Sequence, residues 1–169
     1  MNLTGDLSYK FRNNNWNWFI EQYGKQIKTS GVTSLSNCFY GSSKLKEIPF
    51  AINCNNVSMI YAFYTCQSLL ELPDIYANKV ADFQQMCVGC TRIRTIPDSW
   101  VNWDLTSVQT SNSMSLSTMF YECYSLRYLP EEFLKKLFSN PSSSYSSMYY
   151  YFIASCCSLD EIRSIGVSN

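Results

Sequence analysis

Histidine is absent from the 169 residues. With it go every His-dependent catalytic triad, the H-E-x-x-H zinc-protease pattern and the commonest general base at neutral pH. Glycine is scarce, six in all, and no stretch has the spacing of a phosphate-cradling loop. Net charge is missing too: thirteen basic residues balance thirteen acidic ones. There is thus no broad electrostatic footprint for nucleic acid or anionic lipid. No run approaches the roughly 20 apolar residues of a membrane span. The opening Met1-Asn2-Leu3-Thr4-Gly5-Asp6 has neither a basic n-region nor an apolar h-region, so no secretory signal is expected. A complete chain of this kind is expected to be made in a reducing cytoplasm and to leave it by lysis or by assembly into something larger. No enzymatic activity and no cofactor are expected.

What is abundant is aromatic surface and an internal repeat. Aromatic residues make up 16% of the chain, thirteen of them tyrosine, while charged residues make up only 15%. Such a surface is expected to be partly covered by a partner. The stretch Val57–Pro73, VSMIYAFYTCQSLLELP, returns along the chain. Moved back by 24, Phe63, Leu69, Leu72 and Pro73 fall on Phe39, Leu45, Ile48 and Pro49; moved forward by 24, Cys66, Leu69, Leu72 and Pro73 fall on Cys90, Ile93, Ile96 and Pro97. Steps of 33 then give Phe120, Cys123, Leu126, Leu129 and Pro130, followed by Ile153, Cys156, Leu159 and Ile162, with Arg163 in place of proline. A fixed period of this length means stacked units, each too small to bury its apolar face alone.

Within one unit, Met59 and Phe63 are four apart and suit one helical turn. Leu69-Leu70-Glu71-Leu72 is too short for a helix and ends at a proline, so it is expected to be a two- to four-residue strand. The fold class is therefore an α/β repeat with short parallel strands and short helical turns. The prolines at 49, 73, 97 and 130 should form a column without ladder donors, which keeps the sheet narrow.

The motif Ala62-Phe63-Tyr64-Thr65-Cys66, and again Met119-Phe120-Tyr121-Glu122-Cys123, each followed by Leu-x-x-Leu-Pro, resembles the BspA-like leucine-rich repeats. It is also similar to the shorter repeats of bacterial surface lipoproteins and gut-phage proteins. The resemblance covers roughly residues 33–163 and departs from the motif at Ser42, at Cys87 and in two longer units. It implies a leucine-rich-repeat-like solenoid of about five units, near 33–56, 57–80, 81–113, 114–146 and 147–169. It further implies adhesive or structural modules without a shared active site.

Outside the repeats, Trp16, Phe19 or Ile20, Tyr23 and Ile27 are spaced for one helix face after the candidate N-caps Asn14 and Asn15. Residues 1–32 are accordingly expected to be an N-terminal helical cap covering the first unit with Trp and Phe; Lys25 and Lys28 are too few for a membrane-surface helix. Trp100 and Trp103 lie in an insertion, 98–114, and either fold back on the flank or serve as binding anchors. Glu131–Phe138 should be a two-turn helix, with Glu131/Lys135 and Glu132/Lys136 as i, i+4 pairs. Only seven residues follow Ile162, so the C-terminal end, with Tyr149 and Tyr150 near it, is expected to be covered by a partner or a second subunit.

Cys87 and Cys90 form a C-x-x-C, which suits half a zinc site or a redox pair. Both also occupy repeat columns, where small buried thiols explain them. The remaining candidates are surface positions: Tyr40, Tyr64 and Tyr121 in one slot, and Tyr128, Arg94 and Arg127 beside the expected strands. Mixed charge with tyrosine fits contact with protein or with a glycan. The expected function is a non-enzymatic protein-binding or structural module. It is expected to be a virion component, resident in the cytoplasm before assembly, with a cell-surface or secreted adhesin as the alternative.

Overall fold

The structure, a computed structural model, describes residues 1–106, 118–138, 155, 156 and 158. Its character is α/β. Four parallel strands, β1 (Asn2–Asp6), β2 (Lys28–Ser34), β3 (Ile52–Ser58) and β4 (Ile75–Asp82), pair in sequence order. Among the described residues two short α-helices, α1 (Asn17–Tyr23) and α2 (Glu131–Phe138), flank them. Ser58 pairs with Ser34 before it and with Asp82 after it, the 24-residue step read from the sequence. Ile52, Cys54 and Val57 on β3 and Ile75, Ala77 and Val80 on β4 face the core. The alternation slips by one residue before each valine, and the ladder then slips once more between Val57 and Ser58.

Each strand runs into a ribbon of turns built on two hydrogen-bond directions. Leu35, Asn37, Phe39 and Gly41 donate their N–H groups to the carbonyls of Ser58, Ile60, Ala62 and Tyr64 on the next segment, at 2.8–2.9 Å. The residues between them, Cys38, Tyr40 and Ser42, donate back three positions to Leu35, Asn37 and Phe39. To alternate in this way the chain passes through the left-handed region at every fourth residue: Asn37 and Gly41, Tyr61 and Thr65, Gln85 and Gly89. A right-handed helix has no such residues. The helical turn expected at Met59–Phe63 is therefore replaced by this ribbon, because half of its N–H groups leave the segment.

The strands are also displaced from where the sequence placed them. Leu69–Pro73 is irregular, and the paired residues come after the proline, at Ile52 and Ile75. Pro49 and Pro73 supply no N–H, so the ladder begins only beyond them. Leu45, Leu69 and Ile93, with Ile48, Leu72 and Ile96, instead point inward from irregular backbone as buried core.

Residues 1–32 are more than a helical cap, and the expected boundary after residue 32 falls inside β2. β1 adds to the sheet in parallel, and Leu7, Tyr9, Phe11 and Asn13 donate to Ser34, Ser36, Cys38 and Tyr40 as the later segments do. Phe11 stacks on Phe39 at 5.2 Å, and Phe39 on Phe63 at 5.5 Å. Helix α1 forms where expected but turns differently. Its N-cap is Trp16, with no side-chain capping bond, while Asn14 Oδ1 accepts from the Lys44 amide at 2.9 Å and so ties the segment to its neighbour. Ile20 and Ile27 are buried, whereas Trp16 and Tyr23 face solvent.

Gly24, which follows α1, sits against Pro49: a Cβ there would lie 2.5 Å from Pro49 Cγ. Its φ of −55° is ordinary, so the requirement is purely steric. Gly24→Ala should destabilise the protein by about 1–3 kcal/mol in chemical denaturation; an unchanged midpoint would show that the first two segments are not held this closely.

Candidate functional site

The expected surface residues separate into three environments. Tyr40 and Tyr64 stack face to face at 4.9 Å with a 5° interplanar angle, and Tyr61 meets both edge-on. The Arg12 guanidinium lies over Tyr40 at 4.6 Å from the ring centroid and within 5.5 Å of Tyr9. Tyr121 occupies the same slot, half-buried, but Val88 interrupts the row. In this ladder the Tyr40 ring lies between Arg12 and Tyr64, and Tyr40, Tyr61 and Tyr64 are half-buried. Arg94, Arg127 and Tyr128 are exposed together, joined by the Arg127 N–H donating to the Arg94 carbonyl at 2.9 Å. Tyr149 and Tyr150 lie outside the described residues.

Trp100 and Trp103, expected as surface anchors or flank residues, are inside. Both are fully buried and stack at 4.6 Å. Their indole N–H groups donate to the carbonyls of Pro73 at 3.1 Å and Ile75 at 2.7 Å, which satisfies the polar end of each ring. Helix α2 closes over them with Phe133, whose ring meets Trp103 edge-on at 6.1 Å. Lys135 pairs with both Glu131 and Glu132 in solvent. Lys136, expected to pair with Glu132, donates instead to the Val101 carbonyl.

A surface feature that sequence reasoning turned inward is the outer side of α1. Trp18 is 59% exposed, Trp16 43% and Tyr23 42%. They cluster around Phe19 with centroid separations of 5.3–6.4 Å. These three residues stay exposed, in contrast to the half-buried Tyr40, Tyr61 and Tyr64. The signal was available: Trp18 does not share a helix face with Ile20, and one seven-residue helix cannot bury four aromatics at once.

The cysteines have a structural task. Cys66, Cys90, Cys123 and Cys156 donate from Sγ to the carbonyls of Phe39, Phe63, Cys87 and Phe120 at 3.0–3.1 Å. Ser42, where the repeat motif lacks its cysteine, does the same to Phe11 at 2.7 Å. All seven described cysteines are free thiols. Burial pushes Cys38 and Cys54 up to about 12 and holds Cys66, Cys87 and Cys123 well above the ordinary thiol range. A buried thiol kept protonated is a poor nucleophile, and among the described residues no group of three or more His, Cys, Asp or Glu is placed to hold a metal. Among the same residues no helix is long and apolar enough to cross a membrane.

No family model, no curated protein and no solved structure matches the chain.

Ser42→Ala removes the hydroxyl that donates to the buried Phe11 carbonyl and accepts from the Asn14 N–H. It should cost about 1–3 kcal/mol in denaturant titration, while Ser42→Cys should recover most of that. Equal losses for both would refute the donor role.

For the thiols the sign is fixed by their raised folded-state pKa. The unfolded chain, with ordinary thiols near 9, loses protons first. The thiols' contribution to stability should be constant below pH 9 and be lost as pH rises toward 12. Labelling with a thiol reagent at pH 8 should be slow until denaturant is added; fast native labelling of Cys38 or Cys54 would contradict their burial.

Proposed function

We propose that the chain is a non-enzymatic protein-binding or structural module, built as a leucine-rich-repeat-like solenoid of about five units. In this reading it is a virion component that attaches to capsid or tail. The observation that carries the binding role is the cluster of exposed Trp16, Trp18 and Tyr23 around half-buried Phe19, at the start and along the length of α1. Exposed, clustered Trp and Tyr supply large contact area with few rotors to freeze, the composition of interface hot spots. The solenoid reading draws support from the columns: Phe11, Phe39 and Phe63 stack in succession, and the Cys156 thiol donates to the Phe120 carbonyl from the fifth copy of the motif. The buried thiols donate to backbone carbonyls and so leave the most reactive side chains of the sequence with structural work. The virion assignment follows from the resemblance of Ala62–Cys66 and Met119–Cys123 to repeats found in gut-phage proteins.

The test uses the full chain. Light scattering over a concentration series should give a defined oligomer or association relieved by a partner, and the chain should co-purify with viral particles. Trp18→Ser combined with Tyr23→Ser should reduce that association by tenfold or more, roughly what two interface hot spots contribute, with the fold unchanged. A stable monomer near 19.5 kDa that never accompanies particles would overturn the virion reading in favour of a freestanding adhesin.

A further inference from the structure

The prolines that stop the ladder leave a groove. Backbone bonding between neighbouring segments ends where the Leu70 N–H donates to the Lys46 carbonyl and resumes where the Ile52 N–H donates to Asp74. Between these points lies a cavity of about 310 Å³ lined by residues 47–51 and 71–74. A second, of about 190 Å³, continues it to Thr95, Ile96 and Pro97. The two share Glu71, Leu72 and Asp74, so one groove crosses three segments. Its floor is the buried Ile48, Leu72 and Ile96. Its rim carries Glu47, Glu71 and Asp74, all exposed, and no basic side chain lines it. Among the described residues the ion pairs are those of Lys135 with Glu131 and Glu132, so none of the three rim carboxylates is ion-paired there.

We infer that this groove docks an extended segment of a partner protein bearing lysine or arginine. The inference deepens the binding-module reading and rests on it. An acidic rim repels nucleic acid, anionic lipid and acidic sugars. A lysine or arginine stem lies along an apolar floor while its charged head reaches the rim. Two steps between segments span about 10 Å, which three or four extended residues cross at about 3.3 Å each. Alternate side chains of such a peptide fall on one side about 6.6 Å apart, and the flexible lysine or arginine stem makes up the difference from the spacing of the segments to reach Glu47, Glu71 or Asp74.

The probe is a fluorescent octapeptide of alternating lysine and valine, titrated into the full chain by anisotropy, beside the same peptide with glutamate for lysine. The lysine peptide should bind, weaken with added salt, and lose about threefold per rim substitution and about tenfold or more for Glu47→Gln, Glu71→Gln and Asp74→Asn together. The glutamate peptide should not bind. Near-UV circular dichroism checks the fold of the triple variant, and backbone amide shifts on the unmodified chain should move at 47–51 and 71–74. Equal affinity for the triple variant, equal binding of the glutamate peptide, shifts confined to other residues, or calcium binding by these carboxylates without peptide binding would each overturn the groove. Failed peptide binding with particle association intact overturns the groove alone. Intact peptide binding with no particle association overturns the virion reading alone.

Discussion

The structure depends on one division of labour in the turn ribbon: alternate backbone N–H groups bond to the next segment, and those between bond back within their own. Leu35, Asn37, Phe39 and Gly41 take the first role and Cys38, Tyr40 and Ser42 the second. The scheme satisfies a run of buried donors without a helix or a sheet, at the cost of left-handed residues at Tyr9, Asn37, Tyr61 and Gln85. It also fixes register, since a slip of one residue would exchange the two kinds of donor and turn Phe39 out of the core. One acceptor site remains on the carbonyls of Phe39, Phe63, Cys87 and Phe120, each of which already receives the N–H three residues later. The Phe39 carbonyl takes Ser42 N–H at 3.0 Å and the Cys66 thiol at 3.1 Å. A cysteine column therefore arises from backbone accounting. The slot needs a small side chain with one donor that tolerates apolar neighbours, and serine at 42 meets the same need.

Aromatic residues divide according to how far they are exposed. The Tyr40 and Tyr64 rings face each other, with Arg12 closing the row, so they add cohesion along the stack. Trp100 and Trp103 spend both faces and both N–H groups inside. Trp16, Trp18 and Tyr23 stay exposed. Aromatic content alone does not separate these cases, because the same residue types serve as mortar, core and contact surface. The separation comes from the neighbours, and the neighbours are set by the segment spacing.

That distinction marks how far the sequence could be read. The Phe, Cys, Leu and Pro columns were legible because a column demands the same size and polarity at each step, and identity at fixed spacing records that demand. The first segment was hidden because Phe11 precedes Phe39 by 28 residues, the extra length being taken up around α1. Strand position was misread because the apolar run Leu69–Leu72 is a stronger local signal than Ile52-x-Cys54 or Ile75-x-Ala77, in which asparagine, lysine and tyrosine fill the outward positions. Only the prolines reveal that the stronger run cannot be laddered. The burial of Trp100 and Trp103 could not be read at all, since it depends on the carbonyls of Pro73 and Ile75 being free to accept.

The proline column is where architecture and surface meet. A proline at the end of each irregular run removes a donor from the place where neighbouring segments would otherwise pair, so their backbones need not approach to 4.8 Å there. At the first step Gly24 lets the chain press against Pro49. At the next two steps no such glycine intervenes, and the gap stays open between Pro49, Pro73 and Pro97. The residues just before each proline pair are then forced outward at its edge, and at 47 and 71 they are glutamates. A single backbone property, the missing N–H, thus ends the ladder, opens the groove and places charge on its rim. A substitution that restored the N–H at 73 would be expected to act on all three together.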